Sequence, residues 1–339
     1  MGSVKDLHIL RTPTEEQPGV GRFLFSDRYS VFDWGEMPDL INHKGRALAV
    51  MGAYFFELLE KQGILTHYQG LVENGLPKRL SELNKPSNTM QVSIVRVIKP
   101  ELQADTYDYS VYDKNLRNVL IPLEVIYRNS LPAGSSVFKR LKDGSLSLSE
   151  IGLDKMPQPN DRLITPILDV STKLEITDRY MSWKEAQKLS ALSSIELKNL
   201  KKITEDVNTL ISERALAANL INEDGKIEFA FDENRNLMLV DVLGTPDECR
   251  FTFAGMPVSK EIARIFYRNS DWYKMVEEAK QIDRANWKTH VKSDPPHLSK
   301  ELLELISQLY CAVCNEMTQR KWFLVPELKK ILDEIQRHF

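Results

Sequence analysis

The residues best suited to chemistry are grouped between Asp224 and Arg250. In Asp224-Gly225-Lys226-Ile227-Glu228-Phe229-Ala230, Lys226 and Glu228 are two apart, so on a β-strand they share a face. Asp241 follows, set among Met238, Leu239, Val240, Val242 and Leu243. A carboxylate inside an apolar strand is costly unless it is paired or metal-bound. Across a hairpin, Glu228 and Asp241 could converge on one cation. Magnesium suits such a pair, because it takes one or two protein carboxylates and completes its octahedron with phosphate oxygens and water. The same residues read equally well as a hairpin in which Lys226 simply pairs with one of the acids.

Two further segments could hold an anion. An apolar strand carrying Glu124 ends at Arg128-Asn129, and Ala133-Gly134-Ser135-Ser136 then leads into a helix start at Val137-Phe138. Backbone N–H groups, two hydroxyls and an arginine there would cradle a phosphate; the alternative is a strand, a turn and an N-cap serine. Gly244-Thr245-Pro246-Asp247-Glu248-Cys249-Arg250 is a turn that would aim Arg250 back toward the strand ends, unless Asp247 and Arg250 only stabilise the turn itself.

The positioning elements are legible from periodicity. Strands are expected at 21–25, 29–32, 90–98 and 119–127, and a helix at 45–62 with Leu48, Met51, Tyr54, Phe55, Leu58 and Leu59 on one stripe. Ser182…Glu185 and Ser193…Glu196 are capping boxes, the second opening a helix to about 219. Strands 226–231 and 237–243 form a hairpin, and helices follow at about 259–268, 271–283, 299–318 and 325–337. Strands and helices without regular βαβ alternation indicate an α+β chain in two lobes.

Composition narrows the class. The 339 residues carry 45 Lys and Arg against 48 Asp and Glu, a net charge of −3, which offers no basic footprint for nucleic acid. No run approaches the ~20 apolar residues of a membrane span, and the first residues lack the apolar core of a secretory signal. Three cysteines, with Cys311 and Cys314 in a helical apolar stretch, fit helix packing and a reducing cytoplasm. The six histidines show no metal-ligand spacing, and no P-loop, GxSxG or HExxH motif occurs.

Taken in order, these segments resemble the SAICAR synthetase family. Pro122, Glu124, Arg128, Asn129, Gly134 and Ser135 match its strand-loop. Asp224, Lys226, Glu228 and Phe229 match its Asp-x-Lys-x-Glu-Phe, and Asp241, Thr245, Pro246, Asp247 and Arg250 match its third element. Asp33, Lys44-Gly45, the run Glu60–His67 and Lys173-Leu174-Glu175 add support, and the similarity spans roughly residues 20–270. The resemblance implies a two-lobed fold related to ATP-grasp enzymes and protein kinases, with ATP between the lobes. It implies lobes at 1–100 and 101–285 and a helical extension at 286–339.

It further implies that Glu228 and Asp241 hold magnesium, that Lys226 neutralises charge in the transition state, and that Arg128, Ser135 and Arg250 bind a ribonucleotide 5′-phosphate. Asp33 would lie near ribonucleotide and metal, and Arg264 would be a further substrate arginine. Gly19, Gly21 and Arg22 stand where the compact bacterial form has Gly-Lys-x-Lys over the ATP phosphates. The implied reaction is ATP-dependent ligation of L-aspartate to the carboxylated aminoimidazole ribonucleotide CAIR through an acyl phosphate. An insertion at 99–118 and the long tail resemble a divergent, archaeal-like branch. A homo-oligomer is left open. The competing readings are a small-molecule kinase and a catalytically silent nucleotide-binding regulator.

Overall fold

The structure, a computed structural model, describes residues 4–104, 106–283 and 286–337. Two antiparallel sheets organise it. The first contains β1 (Lys5–Arg11), β2 (Gly19–Phe25), β3 (Tyr68–Glu73), β4 (Leu76–Lys78) and β5 (Thr89–Ile94), in the order β1-β2-β5-β3-β4. Helix α1 (Lys44–Lys61) packs on it through the expected stripe, with Leu48, Met51, Phe55 and Leu59 fully or almost fully buried. A small hairpin, β6 (Glu101–Gln103) and β7 (Thr106–Asp108), occupies the insertion.

The second sheet is built from β8 (Val119–Leu131), β9 (Asp161–Thr172), β10 (Ile221–Phe231), β11 (Leu237–Val240), β12 (Cys249–Phe253) and β13 (Met256–Pro257). Its order is β13-β12-β10-β8-β9, with β11 also paired to β10. Helix α2 (Ser136–Asp143) follows β8, α3 (Trp183–Leu189) follows β9, and α4 (Ser194–Ala217) packs on β8 and β10. Ser193 and Glu196 close the expected capping box at the start of α4. Helices α5 (Glu261–Arg268), α6 (Asp271–Ile282), α7 (Lys300–Thr318) and α8 (Leu328–Gln336) complete the chain.

One apolar cluster runs from Phe25 through both sheets to Ile335, so α7 and α8 share the core rather than forming a separate unit. Cys311 and Cys314 are buried in α7 as free thiols, and burial pushes the Cys311 thiol up to about 12. That is the packing role expected of them.

The segment 29–32 is not a strand. Phe32 and Asp33 have φ of 56° and 62°, and the segment is a loop fastened by its aromatic side chains. Tyr29 and Tyr267 share a hydrogen bond of 2.7 Å, Phe32 packs on Tyr273, and Trp34 on Trp272. Burial of rings, not ladder pairing, selects this backbone. The strand expected at 90–98 ends at Ile94, and β10 begins at Ile221, five residues before the expected 226. Gly225 is therefore a strand residue, and it is glycine because a Cβ there would lie 2.3 Å from the Tyr127 hydroxyl oxygen.

Gly244, at φ +71°, joins β11 to the Thr245–Arg250 turn, and an added Cβ would lie 2.2 Å from Phe55 Cδ2 of α1. Gly244→Ala is expected to cost about 2–4 kcal/mol from left-handed strain plus overpacking. A lower urea midpoint checks this; an unchanged midpoint would mean that Phe55 yields freely.

Candidate active site

The register of the second sheet assembles the site. Along β10, Asp224 faces Arg128, Lys226 faces Ile126 and Glu228 faces Glu124 of β8. On the far side of β8, Glu124 faces Ser171 and Ile126 faces Asp169 of β9; on the far side of β10, Asp224 faces Arg250 of β12. Side chains alternate faces along a strand, and those directly opposite share one. All these polar residues therefore lie on one face. The intervening Val125, Tyr127, Ile227 and Val170 point into the core.

Four zones succeed one another along this face. At one end, Asp224 lies between two arginines, its Oδ2 3.5 Å from Arg128 Nη1 and 3.2 Å from Arg250 Nη1. Arg128 is buried and also donates to Asp169, Tyr180 and Ser136, whereas Arg250 is 45% exposed. Next come the ammonium groups: Lys226 and Lys173 each donate to Glu124 Oε1 at 3.0 Å, and Lys173 also to Glu228 at 2.7 Å. The acid pair follows, with Glu228 opposite Val240 and Asp241 the next residue along. Last is an apolar patch of Ala230, Met238 and Val240, with Val95 and Leu120 packed against it.

The acids differ in charge state. Burial, and then the charge of Asp241, push the Glu228 carboxyl up to about 7, against the pull of Lys173 and Lys226. Burial would also raise Asp241, but the Lys5 ammonium, 2.5 Å from its Oδ1, holds it below the ordinary carboxylate range. Burial likewise opposes the charge on Lys226 and Lys173, yet the surrounding carboxylates outweigh it and keep both ammonium groups firmly protonated. Asp224 is raised by burial despite its two arginines. Asp178 is raised by burial and by Glu124.

Asp241 has φ of 66°, and the first sheet holds it there. His67, leading into β3, donates from Nε2 to the Asp241 carbonyl at 3.0 Å. Burial between Phe23 and Phe56 pushes His67 down to about 4, so the imidazole is neutral. Backbone bonds from His67 N to Leu239 O and from Leu239 N to Leu65 O join the same two segments.

A cavity of about 470 Å³ opens over the arginine and lysine zones. Arg128, Lys226, Arg250 and Arg264 line it, with Glu124, Asp178, Asp224 and Tyr180. Asp33 is exposed and stands close enough to Asp178 to raise its carboxyl. Ser135 does not line the cavity; its hydroxyl caps α2, accepting from Val137 N, while the neighbouring Ser136 meets Arg128. Arg264 pairs with Glu261 at 3.0 Å on α5.

Gly19, Gly21 and Arg22 lie on β2 outside the cavity lining. The Arg22 guanidinium donates to Gln91 and to the Gly75 carbonyl. A Cβ at Gly19 would meet Arg11 O at 2.4 Å, and one at Gly21 would meet Leu7 Cδ1 at 2.9 Å, so sheet packing accounts for both glycines. Sequence reasoning missed Lys5, Tyr180, Asp169 and Asp178. Lys173 and Lys44 stood only as part of a resemblance, without a role.

Among the described residues no group of three or more His, Cys, Asp or Glu is placed to hold a metal ion. The donor set at the centre of the face is a carboxylate pair, which fits a magnesium ion that keeps water and phosphate in its shell and fits poorly a transition metal wanting His or Cys.

Fold and site together define an α+β protein of two antiparallel sheets, one of which carries on a single face an arginine-rich end, a lysine-rich middle and a paired-acid centre. A family model described as SAICAR synthetase matches residues 2–282, and the chain belongs to that family. A protein of Archaeoglobus fulgidus, provisionally named phosphoribosylaminoimidazole-succinocarboxamide synthase, is 50% identical over 99% of both chains. Among solved structures, the SAICAR synthase of Saccharomyces cerevisiae complexed with SAICAR shares the fold at a TM-score of 0.64 and 20% identity, covering 96% of this chain and 95% of that one. A SAICAR synthetase in complex with ADP aligns at 0.55 and 22% identity, over 88% and 99%. No helix among the described residues is long and apolar enough to cross a membrane.

Because the folded Glu228 carboxyl titrates near 7 and the unfolded one near 4.5, the folded chain holds the extra proton between those values. The stabilisation from that proton is full below about pH 4.5 and lost as pH rises through about 7. Glu228→Gln should therefore raise the melting temperature of the metal-free protein more at pH 8 than at pH 5. Equal effects at both pH values would contradict this.

Proposed function

We propose that this chain catalyses the family reaction: ATP-dependent joining of L-aspartate to CAIR, giving SAICAR, ADP and phosphate. The observation that carries the proposal is the linear order of the zones along β10. Asp224 to Ala230 spans roughly 20 Å at strand rise, a length suited to two ligands lying end to end. The Arg128–Arg250 end receives the ribonucleotide 5′-phosphate, since guanidinium groups fork onto phosphate oxygens. The apolar patch receives the adenine. The carboxylate to be activated and the γ-phosphoryl then meet over Lys226 and Lys173.

Glu228 and Asp241 would hold magnesium, which when bound supplies positive charge against the triphosphate and so assists departure of ADP. Lys226 and Lys173 neutralise the equatorial oxygens of the transferring group. Lys5 adds a third ammonium group beside Asp241, whereas the Arg22 guanidinium is turned to Gln91 and the Gly75 carbonyl. In the first step a CAIR carboxylate oxygen bonds to the γ-phosphorus and the bond to ADP breaks. In the second, the aspartate amine forms a bond to the acyl carbon, phosphate leaves with the C–O electron pair, and the amine gives up a proton. Asp178, with its raised carboxyl in the cavity, is suited to accept that proton.

ADP formation should require CAIR and L-aspartate together, with SAICAR produced in equal amount; ADP formed with a hydroxyl substrate and no SAICAR would favour the kinase. Arg250→Ala should raise the KM for CAIR roughly tenfold to a hundredfold with the melting temperature little changed, because this arginine is half exposed. Arg128→Ala also strips Asp169 and Asp224 of a partner, so it should destabilise the fold as well. A normal KM for CAIR in Arg250→Ala would remove the phosphate assignment.

A further inference from the structure

Helix α7 lies beyond residue 282, where the family match ends, and lines no part of the cavity itself, yet it touches Asp247, a residue of the cavity wall. Its Tyr310 is buried and donates from its hydroxyl to Asp247 Oδ1 at 2.8 Å. The other oxygen of Asp247 accepts from Lys44 Nζ at 2.7 Å, and the ammonium lies 5.5 Å from the centre of the Tyr310 ring. Lys44 is fully buried and the Asp247 side chain is 4% exposed. One carboxylate thus joins the first residue of α1, the middle of α7 and the turn that carries Arg250. Ser307, one turn earlier on α7, donates to the Asn42 carbonyl just before α1 and fixes the helix against the same corner.

The turn itself is slight. Glu248 N and Cys249 N both donate to Thr245 O, and the Glu248 carbonyl accepts from Lys226 N. Its outer end leads into β12, where Arg250 stands opposite Asp224 of β10, three residues on from Asp247. A carboxylate bonded by one ammonium can pivot about that contact; a second donor on its other oxygen removes the pivot. We infer that Tyr310 is a positioning residue for the ribonucleotide phosphate site: it immobilises Asp247 and, through the turn, the Arg250 guanidinium. The inference rests on the assignment of the Arg250 end to the ribonucleotide phosphate. It gives the C-terminal helices a part in substrate binding in addition to their part in the core.

Tyr310→Phe keeps the ring and removes the hydroxyl. Ile331→Val on α8 serves as a comparison, since it loosens the same helical pair through an apolar contact. Hydrogen exchange reads the turn without reference to activity. In Tyr310→Phe the Glu248 and Cys249 amides should exchange about tenfold faster, the loss of one hydrogen bond to a charged group. In Ile331→Val they should stay within about twofold of wild type. In steady-state assays Tyr310→Phe should raise the KM for CAIR about fivefold while kcat and the KM for ATP stay within about twofold.

Unchanged exchange in Tyr310→Phe, equal acceleration in both variants, or an unchanged KM for CAIR would each overturn the inference. A wild-type protein that makes no SAICAR would instead sink the proposed reaction, and the exchange result would still report on the turn.

Discussion

Charged side chains can be taken out of water only where opposite charges and hydrogen bonds replace the solvent, and this constraint shapes the second sheet. Glu124, Arg128, Asp169, Asp224 and Glu228 are all buried, and each has at least one oppositely charged partner within 3.5 Å. The partners come from β8, β9, β10 and β12, from Lys173 just past the end of β9 and from Arg140 of α2, so neutralisation depends largely on strand register. A one-residue slip of β10 against β8 would turn Asp224, Lys226 and Glu228 into the core and Ile227 out of it. The chemistry and the sheet are therefore specified together.

The acid pair adds a second dependence. Glu228 belongs to β10 wholly, but Asp241 is held by groups of the first sheet: Lys5 on its carboxylate and His67 on its carbonyl. A left-handed conformation at a non-glycine residue is costly, and the neutral imidazole wedged between Phe23 and Phe56 helps to over-determine it. The separation of the two carboxylates, and with it their capacity to share a cation, follows from how the two sheets are fastened. Asp247 plays the same part at the arginine end, where Lys44 of α1 and Tyr310 of α7 meet one turn of the second sheet.

Much of the site was readable because it is local. Lys226 and Glu228 share a strand face by period two, Asp241 is conspicuous as an acid within an apolar strand, and the Thr245–Arg250 turn follows directly. The four C-terminal helices and α1 were readable from apolar spacing. What was not readable is long-range or depends on side-chain docking. Lys5 reaches Asp241 only after β1 folds onto β2, and nothing in the Lys5–Arg11 strand, with Leu7, Ile9 and Leu10 exposed, marks that end as functional. Tyr29–Phe32 has a strand's composition, but its rings find deeper burial as a loop against Tyr267, Tyr273 and Trp272. Ser135 was legible both as an N-cap and as a phosphate ligand, and its hydroxyl is engaged in the cap. Gly19 and Gly21 stand where the compact bacterial form has its phosphate loop, and what is visible only in the fold is that neighbouring strands crowd both.

The central claim is that Glu228 and Asp241 together grip one divalent ion against the phosphates of a nucleotide. Pulsed electron paramagnetic resonance on the protein with Mn²⁺ and ADP, its aspartate and glutamate carboxylates enriched in ¹³C, tests it directly. The account predicts ¹³C coupling from protein carboxylates together with ³¹P coupling from ADP on the same ion, the carboxylate signal diminished in Asp241→Asn. A bound Mn²⁺–ADP complex with phosphorus coupling but no carboxylate coupling, or one indifferent to Asp241→Asn, would contradict it.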